Sequence, residues 1–180
     1  ANNITPVDVA DMWIHESFTN YSESLFLEYH YDKATAYNYV RGLRALIQND
    51  STIIGQYNVH KEGSSDMYYK GSNMLHTIRQ VVDNDETWRE ILRGLNKKFY
   101  HQTVTTQQIE SYIATVANKD LSKVFDQYLR DTRIPMLEYT VLNKQMKVRW
   151  GNVVSGFNMP VRVFINNKAQ WLTPTTQWSK

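Results

Sequence analysis

The hydrophobic period of this chain changes once, near Arg133-Ile134-Pro135, and that change limits what each part can fold into. Before it, apolar residues recur at helical spacing. Trp88, Ile91, Leu92, Leu95 and Phe99 form one stripe, Ile109, Tyr112, Ile113 and Val116 a second, and Leu121, Val124, Phe125, Tyr128 and Leu129 a third. After it the pattern alternates. Leu137, Tyr139 and Val141, then Met146, Val148 and Trp150, then Val161, Val163 and Ile165 read as half-buried strands, and Ala169 to Thr173 as a last one. Asn143-Lys144-Gln145, the segment from Gly156 to Pro160, and Asn166-Asn167 supply the turns. The expected fold class is α+β: a helical bundle over residues 1–132, then a small antiparallel β module over residues 133–180, arranged as a partial β-sandwich.

Composition narrows the function classes. With 180 residues, 42% of them hydrophobic, the chain can bury a sizeable core. A net charge of +2, with Lys and Arg spread along the whole length, gives no basic block, so neither nucleic acid nor a membrane is an expected partner. No apolar run is long enough to span a bilayer. The absence of cysteine excludes disulfides, thiolate zinc sites and a cysteine nucleophile, and leaves the compartment open.

Within the helical part, a first helix is expected from about Asp11 through the aromatic run Tyr29 to Tyr39, with a related helix from Val40 to Ile47. Its apolar stripe would be Ile14, Phe18, Tyr21, Leu25 and Tyr29, with Glu16, Asn20 and Glu23 on the opposite side. Residues 49–66 lose all periodicity around Gly55, Gly63, Ser64 and Ser65 and read as a polar loop. A further helix opens at Met67-Tyr68-Tyr69-Lys70-Gly71, with Leu75, Ile78 and Val82 on its core face. Asp83 or Asp85 can cap the helix after it, Thr105 with Gln108 makes a capping box, and Asp120 can cap the last one. Spacing alone leaves Glu16 and Glu23 open to two readings. Carboxylates two turns apart on one helix face are either a solvated surface, the usual case, or the inward side of a metal site.

The stretch Trp13-Ile14-His15-Glu16-Ser17-Phe18, with Tyr21 and Glu23 following, resembles the Trp-Leu-Asn-Glu-Gly-Phe-Ala-Ser-Tyr-Phe-Glu segment of the gluzincin zinc aminopeptidases, the aminopeptidase N and leukotriene hydrolase type of metallopeptidase. Two departures stand out: His15 replaces the usual Asn and Ser17 the usual Gly. Tyr68-Tyr69-Lys70-Gly71 resembles the Tyr-x-Lys-Gly motif of the same family, and the helices after it also look like the family's. The resemblance implies that Glu16 is the third zinc ligand, that Glu23 is a second acid near the metal, and that Tyr68 is the catalytic phenol. It also implies that the bundle is the C-terminal half of a thermolysin-like catalytic domain. Such an enzyme removes N-terminal amino acids from peptide substrates.

The family's other two zinc ligands and its general-base Glu lie in a His-Glu-x-x-His helix. By the family's spacing, the second His of that helix falls ahead of Ala1. The five histidines present, His15, His30, His60, His76 and His101, include no pair four apart that could replace it. The chain therefore reads as the part that follows the metal helix, its partner being the N-terminal half of the same protein. By itself it is expected to be inactive and without zinc, and Glu16 is expected to face the surface that the other half covers. Two other readings stay open: a non-catalytic helical binding or scaffold module, with Glu16 solvated and Tyr68 structural, and a hydrolase for another substrate on the same scaffold.

Overall fold

Helix α1, Trp13–His30, stops at a side-chain cap in the computed structural model, which describes residues 3–143 and 145–179. Asp32 takes extended backbone and accepts the Thr35 N–H at 2.7 Å, starting α2, Lys33–Leu43. The single helix expected through Tyr39 is thus two. The segment expected as a separate helix from Val40 divides between the end of α2 and a 3-10 turn, Arg44–Leu46. The buried face of α1 also differs from the expected stripe. Trp13, Ile14, Ser17, Asn20, Tyr21 and Ser24 are buried, whereas Phe18 and Leu25 are only half-buried and Tyr29 is exposed. The cause is the neighbour: α3, Asp66–Val82, packs on the side of α1 that carries Ser17 and Ser24, where small side chains let two helix backbones approach.

Helix α3 is buried on nearly every side, with Met74, Leu75 and Ile78 fully enclosed. Around it pack α1, α2, α4 (Asp85–Lys98) and α6 (Ser122–Leu129). A buried guanidinium ties three of these helices together. Arg79 of α3 forks onto Glu28 of α1 at 2.5 and 2.8 Å and reaches Asp85 of α4 at 2.8 Å, while Lys33 of α2 meets the same Asp85 at 2.6 Å. The cap of α4 is Asn84, which accepts the Thr87 N–H, rather than either neighbouring Asp; Asp83 instead ends α3 in the left-handed region, φ 53°. Thr105 and Gln108 form the expected capping box on α5, Thr106–Ala117. Asp120 accepts the Ser122 N–H at 2.9 Å, one residue ahead of the Leu121 cap position of α6.

A short parallel pair, β1 (Ile4–Pro6) with β2 (Gln102–Val104), ties the beginning of the chain to the end of α4. The loop over residues 47–65 has no helix or strand yet is packed. Ile53 and Ile54 are buried, and the Ile54 and Gly55 N–H groups donate to the Leu129 and Ala10 carbonyls.

The four later strands do not form one sheet. They make two separate antiparallel hairpins: β3 (Met136–Leu142) with β4 (Gln145–Gly151), and β5 (Val161–Ile165) with β6 (Lys168–Leu172). The connection between the hairpins explains this. Val153, Phe157 and Met159 turn inward, the Trp150 indole N–H donates to the Met159 carbonyl at 2.9 Å, and Phe157 sits edge-on to Trp150 at 5.3 Å. These residues belong to the same core cluster as the helices. On β3, Tyr139 and Val141 are exposed, so the expected burial of its alternate residues is realised only partly, at Leu137. The second hairpin leans on the turn between α3 and α4, where the Trp171 indole donates to Asp83 at 3.2 Å.

Candidate active site

The entry into α1 sets the phase of the helix and hence the direction of Glu16. Asp8 caps a 3-10 turn, Val9–Asp11, by accepting the Ala10 N–H at 2.9 Å. Asp11 is buried and accepts the Tyr57 hydroxyl at 2.7 Å, the Thr106 N–H at 3.1 Å and the Thr106 hydroxyl at 2.6 Å. The Trp13 indole donates to the same Thr106 hydroxyl at 2.7 Å, so the first turn of α1 is anchored to the first turn of α5. His15 Nε2 donates to the Ile4 carbonyl at 2.6 Å, tying the departure from the family's Asn into β1.

Helix α3 has its own anchor: the Asp66 carboxylate accepts the Gln48 and Asn49 N–H groups at 2.9 and 2.7 Å. The two helices then meet at a pair of small residues. Ser17 donates to the Met67 carbonyl at 2.7 Å, and a Cβ placed on Gly71 would lie 1.9 Å from Ser17 Oγ. Gly71 is what makes room for Ser17. This contact sets Glu16, next in sequence to Ser17, close to Tyr68, one turn before Gly71.

Tyr68 is 41% exposed, and its phenol pKa is raised by partial burial and then by the nearby charge of Glu16. A raised pKa keeps the hydroxyl protonated and able to donate. Glu16 itself is half-buried. The acid and the phenol therefore share one region of the molecule. Glu23 lies two turns farther along α1 and is exposed, accepting from the Asn20 amide at 3.2 Å and from the Tyr39 hydroxyl. That bond to Glu23 is the main reason the Tyr39 phenol is pushed up to about 12. Tyr39 and Asn20 were not marked as site residues by sequence reasoning; Asn20 is buried, against the expectation that it would share a solvated face, and its Oδ1 has no partner among the described residues. A visible signal existed for the helix contact: Ser17 and Gly71 are small residues inside both motifs.

Among the described residues no three His, Asp or Glu side chains converge in a way that could hold a metal ion. What the geometry offers is one acid and one neutral hydrogen-bond donor on a partly open surface.

The model of the peptidase family M1 domain matches residues 1–128. Aminopeptidase N of Lactococcus lactis subsp. lactis is 23% identical over 147 residues, which covers 74% of this chain and 17% of that protein. Among solved structures, aminopeptidase A of Legionella pneumophila, in complex with aspartic acid, overlays with a TM-score of 0.64 at 13% identity, over 94% of this chain and 21% of its own. An M1 zinc metallopeptidase of Deinococcus radiodurans, bound to a Tyr-Ser-Ala substrate, overlays with a TM-score of 0.59 at 19% identity, over 69% and 28%. The chain thus spans less than a third of each of these relatives. With the family model covering well over half of its residues, this chain belongs to peptidase family M1.

Proposed function

We propose that this chain supplies Glu16 and Tyr68 to the active centre of a zinc aminopeptidase that releases N-terminal amino acids from peptides. The observation that carries the reading is the placement of Tyr68 beside Glu16 by the Ser17–Gly71 contact, within a family whose solved relatives include a zinc metallopeptidase. A zinc centre usually needs three protein ligands, and the described residues offer one acid at this position. The chain alone does not fit the metal. In this reading, zinc would be held only when side chains from elsewhere in the whole protein join Glu16. Glu23, fixed by Tyr39 and Asn20, would act as a further acid bordering that centre.

The role of Tyr68 follows from its protonation. When the scissile carbonyl carbon becomes tetrahedral, its oxygen gains charge, and a neutral phenol donates a stronger hydrogen bond to that oxygen than to the ground-state carbonyl. Its loss should lower turnover more than binding. In the whole protein, Tyr68→Phe is expected to reduce kcat on an aminoacyl p-nitroanilide roughly 10²- to 10³-fold with little change in KM. Glu16→Gln should reduce the zinc content measured by metal analysis. The 180-residue chain should retain no stoichiometric zinc and release no p-nitroaniline. Zinc-dependent release by the chain alone, abolished in Glu16→Gln, would overturn the incomplete-centre reading, and an unchanged kcat in Tyr68→Phe would remove the phenol from the chemistry.

A further inference from the structure

A cavity of about 370 Å³ opens between α3, α6 and the β3–β4 hairpin, on ground that the Glu16–Tyr68 reading does not use. Its lining is sharply divided. Arg44, Lys70, Asn73 and Tyr128 supply polar groups, Ile134, Pro135, Trp150 and Met159 supply apolar surface, and no acidic residue lines it.

Each polar group is held for something other than an internal partner of opposite charge. Asn73 is buried and its amide donates to the Val40 and Tyr69 carbonyls, which fixes its Oδ1 to receive Arg44 Nε at 3.1 Å. Among the described residues, no carboxylate lies within ion-pair distance of Arg44 or of Lys70. Lys70 is 5% exposed, and its ammonium meets a neutral group, the Asp131 carbonyl, at 2.8 Å. Burial lowers its pKa, which the charges of Asp66 and Asp131 oppose. The Tyr128 phenol, pushed up to about 12 by burial, stays protonated and is a free donor among the described residues. Opposite these donors the Trp150 ring offers apolar surface, because its N–H is already committed to Met159.

We propose that this cavity binds a small organic anion, a carboxylate on a compact apolar body, with Arg44, Lys70 and Tyr128 around the head and Trp150, Pro135 and Met159 around the body. Lys70 is buried with no carboxylate in ion-pair contact and Arg44 stands at the exposed edge of the same lining, so an anion entering here would meet two cations and no lining acid, and a cavity of this size is at the lower end of small-molecule sites. A cavity beside α5 has the opposite charge balance. There Asp8, Asp11, Glu110 and Asp126 face a single cation, Arg130, so an anion would be repelled. The same carboxylate and apolar body occur in free acids and at peptide C-termini that end in an apolar residue, so both sources belong in the test.

Isothermal titration calorimetry of the chain with 3-phenylpropionate, 3-phenylpropanamide and N-acetyl-alanyl-phenylalanine checks the site without any need for turnover. Saturable one-site binding of at least one of the two acids is expected, with the neutral amide at least tenfold weaker. Preference for the free acid or for the dipeptide identifies the source. Arg44→Gln, at an exposed position, should weaken binding roughly tenfold, and Tyr128→Phe roughly threefold, with unchanged far-UV circular dichroism. In heteronuclear NMR the Trp150 indole N–H signal should shift on titration. No saturable heat with either acid, amide binding as tight as acid binding, or affinity unchanged in both variants would overturn the proposal.

Discussion

A single missing methyl group decides how closely α1 and α3 approach. Gly71 has no Cβ, and one built there would meet Ser17 Oγ at 1.9 Å and Ser17 Cβ at 2.8 Å. Ser17 cannot withdraw freely, because its hydroxyl is committed to the Met67 carbonyl. Gly71→Ala should therefore destabilise the chain by about 1–3 kcal/mol through overpacking. In a Ser17→Gly background the same substitution should cost much less, a coupling of at least about 1 kcal/mol in a double-mutant cycle read by urea unfolding. Additive losses would mean that Gly71 is needed for another reason. At this scale the sequence singled out Glu16, Tyr68 and Glu23 as candidates because each sits in a short motif. Tyr39 was not, since its bond to Glu23 crosses from α2 to α1 and leaves no trace in local spacing.

Helices α1, α2 and α3 enclose a histidine that makes their packing sensitive to acid. The His76 ring lies 4.9 Å from that of Tyr37 and 6.4 Å from that of Tyr21, with Arg79, Arg44 and Glu28 near enough to act on its charge. Burial first, and then the two arginines, lower its pKa to about 4. The folded value lies below the unfolded one, so the unfolded chain binds the proton first as pH falls. Stability contributed by neutral His76 is therefore full above about pH 6.5 and declines toward pH 4, by at most about 3 kcal/mol. Asp32 and Asp85, whose pKa values are lowered, act below the ordinary carboxylate range, whereas Glu110, raised by burial, gains stability as pH falls and opposes the histidine, so the comparison with a His76 variant isolates the histidine's share. Urea midpoints at pH 7 and pH 4.5 should differ clearly less in His76→Gln than in the parent chain. An equal difference would place the acid sensitivity elsewhere. The helices themselves were largely legible from their periods and caps. The break at Asp32 was hidden because aromatic residues flank it on both sides and extend the apparent helix.

The helical part and the hairpins share one core. Trp150, Val153, Phe157 and Met159 join the cluster built by α3, α5 and α6. Gln127 is the polar link: fully buried, it donates to the Arg133 carbonyl at 2.8 Å and accepts the Val154 N–H at 2.8 Å. Gln127→Leu would leave both main-chain groups without partners, at a cost of about 2–5 kcal/mol. Thermal unfolding followed by helical far-UV signal and by tryptophan near-UV signal should show one transition in the parent chain and one, at lower temperature, in the variant. Two separated transitions in the parent would show that residues 133–180 unfold as an independent unit.

The amino-acid sequence by itself determined the helical-then-strand order and the later helices, though not the short β1–β2 pair or the break at Asp32, since hydrophobic period, caps and turn residues act over a few positions. It also marked Glu16 and Tyr68, because their neighbours form recognisable motifs. Only the tertiary structure decided which face of α1 is buried, that the strands separate into two hairpins, and that acid and phenol stand together. Those outcomes depend on which surfaces meet. Close approach at Ser17 and Gly71, and the inward turn of Phe157, are set by residues far apart in the chain, which local spacing does not specify.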